Sequence, residues 1–425
     1  KQKRNGIELS KLDSFFAPKS IVVVGASATK GKPGRTVIEN LIANEFRGKI
    51  YPVNPRGGKI CNLPVFKKIE DLPNRIEMAI VMLPANQTPN AIKDCAVKGI
   101  KSAVLAAGGF AEVDHSGEDL QIHLKEIIKE TRVRVLGPNT AGHISTPSGF
   151  TSSFFPLGKI PKGGISYIAQ TGNFTGAMMR SIMSGEHYGV ARCVGLGNTV
   201  DIDEADVLEF LAYDRETKAI FIYLESLHRP QEFLKIARMV TRKKPVIMLK
   251  GGATEAGAKA AMSHTASLGA NDKILDGALR QAGIIRIDEF SHLFTAAKAA
   301  AMMPVPTGNR VGFVSPSGAF IVHLSDICKQ RTCLDFSSVT SETQLRLEEI
   351  SPSFINITNP VDVFPSATVN GMEFAWRESM EALLNDDNVD AVVTILILAK
   401  ELEAMDLHFI VDQKNRFPTK PIYIS

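Results

Sequence analysis

The feature that most constrains this chain is an alternation that runs from residue 20 to its last residue. Short runs rich in Val and Ile are each closed by a Gly, Pro or Asn turn and followed by an amphipathic stretch of helix length. Buried strands joined by crossover helices read this way, so the fold class is α/β with parallel sheets. A first set of strands is expected at residues 20–24, 49–53, 78–82, 102–106 and 134–136, which fit one doubly wound domain over residues 1–145. Pro147, Pro156 and Pro161 then mark a linker. A second set, at 164–169, 190–194, 219–224, 245–249 and 284–287, gives a domain over 146–305. The stretch Met302 to Gly308 (M-M-P-V-P-T-G) separates a third set at 310–314, 332–336, 391–397 and 421–424, a domain over 306–425. The residues shown stop on that last strand, so the third domain is expected to be incomplete at its C-terminus.

The second and third segments read as copies of one unit. G-I-S-Y-I-A-Q-T-G-N-F (Gly164 to Phe174) matches R-V-G-F-V-S-P-S-G-A-F (Arg310 to Phe320), and T-V-D-I from Thr199 echoes P-V-D-V from Pro360. A repeat this long points to duplicated domains rather than to a solenoid. Composition closes several other routes. Hydrophobic residues are 44% and charged residues 22% of the chain, which excludes a disordered protein. A net charge of +4, from 49 basic and 45 acidic residues, offers no footprint for nucleic acid beyond Lys1 to Arg4, read as a solvated terminus. The five cysteines are scattered with no zinc spacing, and reduced, mostly buried thiols are expected. Apolar runs such as Ala391 to Ala399 fall far short of the roughly 20 residues of a membrane helix. A cytosolic location is expected, with neither nucleic acid nor membrane as a partner.

The turn after the first strand, V-V-G-A-S-A-T-K-G-K-P-G-R-T (Val23 to Thr36), concentrates glycines at Gly25, Gly31 and Gly34. Glycines there permit close backbone approach, and a helix beginning near Gly34 directs free amides and a positive dipole end at an anion. A nucleotide-like ligand is one reading; a tight strand–helix turn without ligand is the other. The spacing is not G-x-G-x-x-G, and the second strand does not end on the acid that binds a ribose 2′-hydroxyl in NAD sites. It ends Y-P-V-N-P-R-G-G-K (Tyr51 to Lys59), with Asn54, Pro55, Arg56 and Lys59 in that place. Cations there suit an extra ribose phosphate, as in NADP or coenzyme A.

Several motifs in order now carry a resemblance. G-A-S-x-x-K-G-x-P-G (with Gly25, Ser27, Lys30, Gly31, Lys32 and Gly34), Y-P-V-N-P, A-G-G-F-A-E (Ala107 to Glu112) and L-G-P-N (Leu136 to Asn139) resemble the Rossmann-like coenzyme A-binding domain of the succinyl-CoA synthetase α-subunit and of nucleoside-diphosphate-forming acyl-CoA synthetases. Pro84, after the third strand, joins the coenzyme A-binding set on the same ground. The family usually carries Cys after G-P-N; here Thr140 stands there, so no role of that thiol carries over. A-Q-T-G-N-F (from Ala169), G-L-G-N-T-V-D-I-D (from Gly195), I-Y-L-E (to Glu225), L-K-G-G (from Leu249) and S-H-T-A-S-L (from Ser263) extend the similarity to the α-subunit of ADP-forming acetyl-CoA synthetases, with two flavodoxin-like domains after the first. The resemblance implies that His264 is transiently phosphorylated and that Glu225 orients it.

Elementary chemistry agrees with these roles. A phosphoryl carrier at neutral pH must be a nucleophile that is largely unprotonated, and an imidazole with a pKa of about 6.5 qualifies. The small residues around His264 leave room for a phosphate and for movement. A carboxylate that holds one ring nitrogen as a donor leaves the other nitrogen's lone pair exposed. Glu225 ends a buried-looking strand at the carboxyl edge, where α/β proteins bind ligands, although from spacing alone it reads equally as a helix N-terminal acid. Gln170, Thr171, Gly172 and Asn173 form a strand-to-helix turn whose amides and helix dipole could cradle a phosphate. His187, His228 and His292 read as ordinary side chains, Asp201 and Asp362 as helix caps or, second to that, as walls of the acid pocket, and the duplicated turn Ser315 to Ala319, which contains Pro316, as structural.

The activity that this implies is acid, coenzyme A and ATP in equilibrium with acyl-CoA, ADP and phosphate. The nucleotide and its Mg2+ need an ATP-grasp domain, for which no segment remains, so a β-type partner subunit or a fused domain is expected, in an oligomer. The acid is a small carboxylic acid of unspecified kind. A coenzyme A- or acyl-CoA-sensing regulatory module, such as that fused to lysine acetyltransferases, is the alternative; it needs no phosphoryl carrier. An NADP oxidoreductase is a third, without an acid–base constellation beside the first domain.

Overall fold

The computed structural model describes residues 12–254, 256–257, 259, 272–331, 334–336, 338–397 and 406–425, with two short strands at Lys3–Arg4 and Ile7–Glu8. His264 lies outside the described residues. The chain divides into two compact units, Lys1–Ala301 and Met302–Ser425.

The first unit opens with five strands: β1 (Ser20–Val24), β2 (Lys49–Val53), β3 (Met78–Val81), β4 (Ser102–Leu105) and β5 (Arg134–Leu136). They form one parallel sheet in the order β2-β1-β3-β4-β5. Every residue of β1 is buried, as a strand covered on both faces must be. Ile21 and Val23 pack on one face with Val37 and Ile38 of α1 (Pro33–Ala43). Val22 and Val24 pack on the other with Ile92 of α2 (Thr88–Val97) and Leu124 of α3 (His115–Thr131). This order puts the topological switch point between β1 and β3, the place where a doubly wound sheet leaves a crevice at its carboxyl edge.

The second sheet holds seven strands: β6 (His143–Ser145), β7 (Phe150–Thr151), β8 (Lys162–Ala169), β9 (Val190–Gly195), β10 (Ala219–Leu224), β11 (Val246–Lys250) and β12 (Ile285–Ile287), in the order β7-β6-β9-β8-β10-β11-β12. Five strands were expected. The other two form an antiparallel hairpin in the stretch read as a linker, and β6 pairs with β9, which places residues 143–151 in the second sheet. The proline at 147 sits in the turn between them. Helices α4 (Glu204–Tyr213) and α5 (Pro230–Val240) cover one face. That face and the α1 face of the first sheet share one apolar cluster, running from Ile21 through Phe150 and Ile168 to Leu208 and Ile220, so the two sheets make one unit.

In the second unit β13 (Arg310–Ser315), β14 (Asp335–Phe336), β15 (Val361–Asp362), β16 (Ala391–Thr394) and β17 (Ile422–Ile424) form a parallel sheet ordered β14-β13-β16-β17, with β15 also on β13. Strand β16 ends at Thr394, short of the expected 397. Helix α6 spans Met372–Asn385. Its Trp376 is the largest buried side chain of the unit, and the indole N–H donates to Thr394 Oγ1 at 2.7 Å.

Candidate active site

The glycine-rich turn after β1 divides its labour. Gly25 has φ of +85°, and a Cβ there would lie 2.7 Å from the carbonyl oxygen of Met82. A Cβ on Gly34 would lie 2.3 Å from the carbonyl of Gly25, so this glycine lets α1 approach the turn. Gly31, at φ +81°, has open space around it and supplies conformation alone. Helix α1 begins at Pro33 with no side-chain cap, which leaves its first turn to the surroundings. Lys30 and Lys32 are exposed beside it, and Ser27 Oγ accepts from the Thr29 amide at 3.1 Å.

A cleft of about 970 Å³ opens at the switch point, lined by Gly25, Asn54 and Pro55, by Asn86 and Asn90 at the start of α2, and by Lys67 and Lys68. The Asn54 side chain ties the two loops of its floor together: Nδ2 donates to Ala26 O at 2.8 Å and Oδ1 accepts from the Arg56 amide at 2.9 Å. Arg56 and Lys59 are exposed and do not line the cleft. The cations that do are Lys67, Lys68 and Lys98, which were not expected from the sequence. The Gly57–Gly58 turn folds the chain back, so that Phe66 pairs with Pro52 and Asn54 and Lys67 and Lys68 come next at the cleft wall. Pro84 caps the 3-10 turn Ala85–Gln87 above β3, where its carbonyl accepts from the Gln87 amide at 3.0 Å. Asn139 stands elsewhere, at φ +55° after β5, with Nδ2 donating to Asn198 Oδ1 at 3.2 Å.

Asn198 belongs to the loop after β9, and it carries the first sheet's edge to the second. Its Nδ2 donates to Glu112 Oε2 at 2.6 Å and to Gln121 Oε1 at 2.9 Å. Burial opposes ionisation of Glu112, but donors from Asn198 and the amides of Gly109 and Phe110 outweigh it and hold the carboxyl below its ordinary range. Asp201, expected as a helix cap, instead takes Arg134 of β5 at 2.9 Å and the Val135 amide at 2.7 Å. The cap of α4 is Asp203, which accepts from the amides of Ala205 and Asp206. Asp362 stands two residues before the helix Phe364–Asn370, and its Oδ1 accepts the amide of that helix's first residue, Phe364, at 3.0 Å. The Thr140 hydroxyl is buried and donates to Gly195 O.

At the carboxyl edge of the second sheet, Gln170 directly follows β8, Glu225 directly follows β10, and β11 ends in Lys250. The Gln170 side chain is buried, and its hydrogen bonds go to the neighbouring turn. Oε1 accepts from the amides of Glu225 and Ser226 at 2.7 and 2.9 Å, and Nε2 donates to Ser226 Oγ at 2.8 Å. Tyr223 O–H donates to Glu225 Oε1 at 3.2 Å, and its ring stacks on Phe290 at 5.2 Å. Burial pushes the Tyr223 phenol up to about 12, with the Glu225 charge adding to the rise. A Cβ on Gly251 would lie 2.9 Å from that hydroxyl and 3.2 Å from Glu225 Cγ, so glycine preserves the space beside the carboxylate. Burial lowers the Lys250 ammonium, which lies at the same edge.

The turn at Thr171, Gly172 and Asn173 differs from the expected cradle in one respect. It leads into a 3-10 turn, Gly172–Thr175, and then into a five-residue helix, Ala177–Ser181, rather than into one long helix. Gly176 separates the two, and the helix runs on directly as a π-helical stretch, Ile182–Glu186. Thr171 Oγ1 already accepts from the Asn173 amide at 3.3 Å, while the Asn173 side chain is exposed. His228, which reads as an ordinary side chain in the sequence, has a buried carboxylate beside it: Glu204 is fully buried, and its Oε2 lies 3.3 Å from His228 Nδ1. Among the described residues no group of three or more His, Cys, Asp or Glu is arranged to hold a metal ion. Among them, too, no helix is long and apolar enough to cross a membrane.

Comparison with known proteins now gives the geometry a context. A family model described as a CoA binding domain matches residues 19–145, and one described as a succinyl-CoA ligase like flavodoxin domain matches residues 162–300. Acetate–CoA ligase (ADP-forming) II of Archaeoglobus fulgidus is 39% identical over 394 residues, which cover 92% of this chain and 58% of that protein. The chain therefore spans little more than half the length of that relative. Subunit alpha of acetate–CoA ligase (ADP-forming) I from Pyrococcus furiosus is 34% identical over 373 residues, 87% of this chain and 80% of the subunit. Among solved structures, the dinucleotide forming acetyl-coenzyme A synthetase 1 of Ca. Korarchaeum cryptofilum, in complex with phosphate and ADP, aligns over 98% of this chain and 89% of that chain with a TM-score of 0.89 at 29% identity. By its ordered motifs, its paired parallel-sheet domains and these relatives, the chain belongs to the family of ADP-forming acetate–CoA ligases, within the nucleoside-diphosphate-forming acyl-CoA synthetases.

Proposed function

We propose that this chain is the α-type part of an ADP-forming acyl-CoA synthetase, interconverting acyl-CoA, ADP and phosphate with a carboxylic acid, ATP and coenzyme A through a phosphohistidine at His264. The observation that carries the reading is the carboxylate of Glu225 at the carboxyl edge of the second sheet. It is held by Tyr223 on one oxygen, on a turn clamped by the buried Gln170 amide, and the segment containing His264 comes after β11 of the same sheet. A carboxylate fixed in this way accepts one imidazole N–H and leaves the other nitrogen as the nucleophile.

Each domain takes a separate part of the chemistry. Residues 1–145 bind coenzyme A at the switch-point cleft, with the turn of Gly25 to Gly34 offering backbone approach, and with Lys67 and Lys68 added to the expected set of cations for phosphate oxygens. Phosphate attacks the acyl-CoA carbonyl and displaces the thiol. The acyl phosphate then yields its phosphoryl group to His264 and the acid is released. Residues 146–305 hold the phosphohistidine, with Thr171, Gly172 and Asn173 facing the transferred group. The nucleotide step, with its Mg2+, belongs to an ATP-grasp β-type subunit or fused domain. Mixing the chain with that nucleotide-binding part, acetyl-CoA, ADP and labelled phosphate should place acid-labile label on the protein. The His264→Ala variant should carry none, and label persisting on it would reject the assignment.

A further inference from the structure

The turn of Thr171 to Asn173 and the Glu225 carboxylate are both anchored on one residue of β10, Tyr223. Before the turn, the Gln170 amide donates to Tyr223 O at 2.9 Å. After it, the fully buried Phe174 ring stacks on the Tyr223 ring, with centroids 6.1 Å apart and 29° between the planes. Phe290, the first residue of the helix Phe290–Met302, stacks on the same ring at 5.2 Å. Aromatic pairs at such separations add to what burial contributes.

With its backbone in the sheet and its ring held by two others, Tyr223 directs its hydroxyl to one place. The hydroxyl donates to Glu225 Oε1 at 3.2 Å. Burial, which pushes this phenol up to about 12, keeps the proton on it at neutral pH. The backbone of Glu225 is fixed from the other side, by the Gln170 side chain that accepts the amides of Glu225 and Ser226. Gly251 completes the arrangement: its amide donates to Leu224 O at 2.9 Å, and a Cβ on it would lie 2.9 Å from the Tyr223 hydroxyl. Among the described residues, Glu225 Oε2 accepts no hydrogen bond. A glutamate side chain left to itself spreads over several rotamers. A donor fixed on one oxygen selects an orientation and so decides where the other oxygen is offered.

We propose that Tyr223 is a positioning residue for phosphoryl transfer: its hydroxyl commits Glu225 Oε1, so that Oε2 alone receives an imidazole N–H, and its ring and carbonyl hold the turn of Thr171 to Asn173 at a fixed spacing from that oxygen. This inference rests on the acyl-CoA synthetase reading with His264 as the carrier. An ionised carboxylate has acceptor capacity for both donors. The direction of the bond at Oε2 sets the direction of the imidazole, and therefore of the lone pair on its other nitrogen. Tyr223 thus acts on the rate through Glu225 and leaves the binding of coenzyme A alone.

The test uses the native enzyme containing this chain, with acetyl-CoA and labelled phosphate and without ADP, and follows the acid-labile label on the protein by rapid quench. Tyr223→Phe keeps the ring and its stacks, so its unfolding midpoint in denaturant should stay close to native. The label should form about 20-fold more slowly, the scale of one lost hydrogen bond to a charged group. The acetyl-CoA concentration that gives half the maximal rate should stay within twofold of native, because the coenzyme A cleft lies on the first sheet. In Gly251→Ala the added methyl crowds the hydroxyl off Glu225 and should slow the label about 10-fold. In the Tyr223→Phe background the same change should cost less than about threefold, because the atom it crowds is gone; independent packing defects would instead multiply. A labelled native enzyme with a Tyr223→Phe rate within twofold of native, a shift in half-saturating acetyl-CoA as large as the loss of rate, or losses that multiply in the double variant would each overturn the role of Tyr223 alone. A native enzyme that takes no label would overturn it together with His264 as carrier.

Discussion

The second and third sheets are built to the same plan, and the residues at their carboxyl edges are not. In the second sheet β8 pairs with β10 so that Ile165 lies opposite Ala219; in the third, β13 pairs with β16 so that Val311 lies opposite Ala391. Since Gly164 to Phe174 aligns with Arg310 to Phe320, the register makes Glu225 equivalent to Ile397 and Gln170 equivalent to Pro316. The strand orders β9-β8-β10-β11 and β14-β13-β16-β17 also correspond. Yet one edge carries a carboxylate on a turn locked by a buried amide 55 residues away. The other closes on itself: Ser315 Oγ accepts from the Ser317 amide at 3.1 Å, and the Asp362 carboxylate is used on Phe364. The two turns also lead into different elements, a broken 3-10 turn in one sheet and an unbroken helix, Gly318–Arg331, in the other. Backbone geometry alone therefore does not fix what an edge presents; long-range side-chain partners do.

Exchange of the equivalent residues tests this most severely. Glu225→Ile should lower turnover about 100- to 1,000-fold, the scale of losing a group that stabilises developing charge. The reciprocal Ile397→Glu should leave turnover within twofold, since no clamp orients the new carboxylate. Steady-state kinetics at saturating substrates measures both, and a comparable loss in the two variants would break the distinction between the edges.

Acid should separate the two units next. His143 of β6 is fully buried, and burial lowers its pKa to about 4, against a bond to Phe15 O that opposes the shift and with Arg192 adding to it. The folded unit thus binds this proton less readily than the unfolded chain, whose imidazole titrates near 6.5. Its contribution is complete above pH 6.5 and is lost as pH falls toward 4, to a total of about 3 kcal/mol. In the second unit the hydrogen bonds from Arg310 hold the Asp390 carboxyl well below the ordinary carboxylate range, and that contribution is lost only below about pH 4. Hydrogen exchange monitored through an acid titration should show residues 143–151 losing protection first. Protection lost in step across both units would refute the separation.

The smallest expected effect concerns the clamp. Gln170→Ala leaves the amides of Glu225 and Ser226 without their acceptor and should destabilise the first unit by about 2 kcal/mol. Pro316→Ala should stay within about 0.5 kcal/mol. Denaturant unfolding compares the two, and equal shifts would show that the Gln170 bonds contribute little.

Much of this molecule is legible without its structure. The Val-rich run at Ser20–Val24, a helix starting near Gly34 and the glycines at 25 and 34 are local statements about sterics and burial, and the structure bears them out, with α1 beginning at Pro33. The motifs that carry the family resemblance are equally local. Less legible is the proline-bearing stretch after residue 143, where β6 and β7 are too short to show a period and exist because β9 offers an edge. Arg56 and Lys59 are expected at the cleft because they come after β2, but a hairpin turns them away and brings Lys67 and Lys68 instead.

The sequence by itself determined the α/β class, the places of the main strands, the glycine-rich turn after β1 and the family, because periodicity, turn stereochemistry and ordered motifs are read within a few residues. Only the tertiary structure decided the strand order that opens the cleft between β1 and β3, the clamp of Gln170 on the Glu225 turn, and the buried partner of His228. Those depend on residues 24 to 56 positions apart meeting at one sheet edge, a juxtaposition fixed by packing and pairing rather than by any local preference.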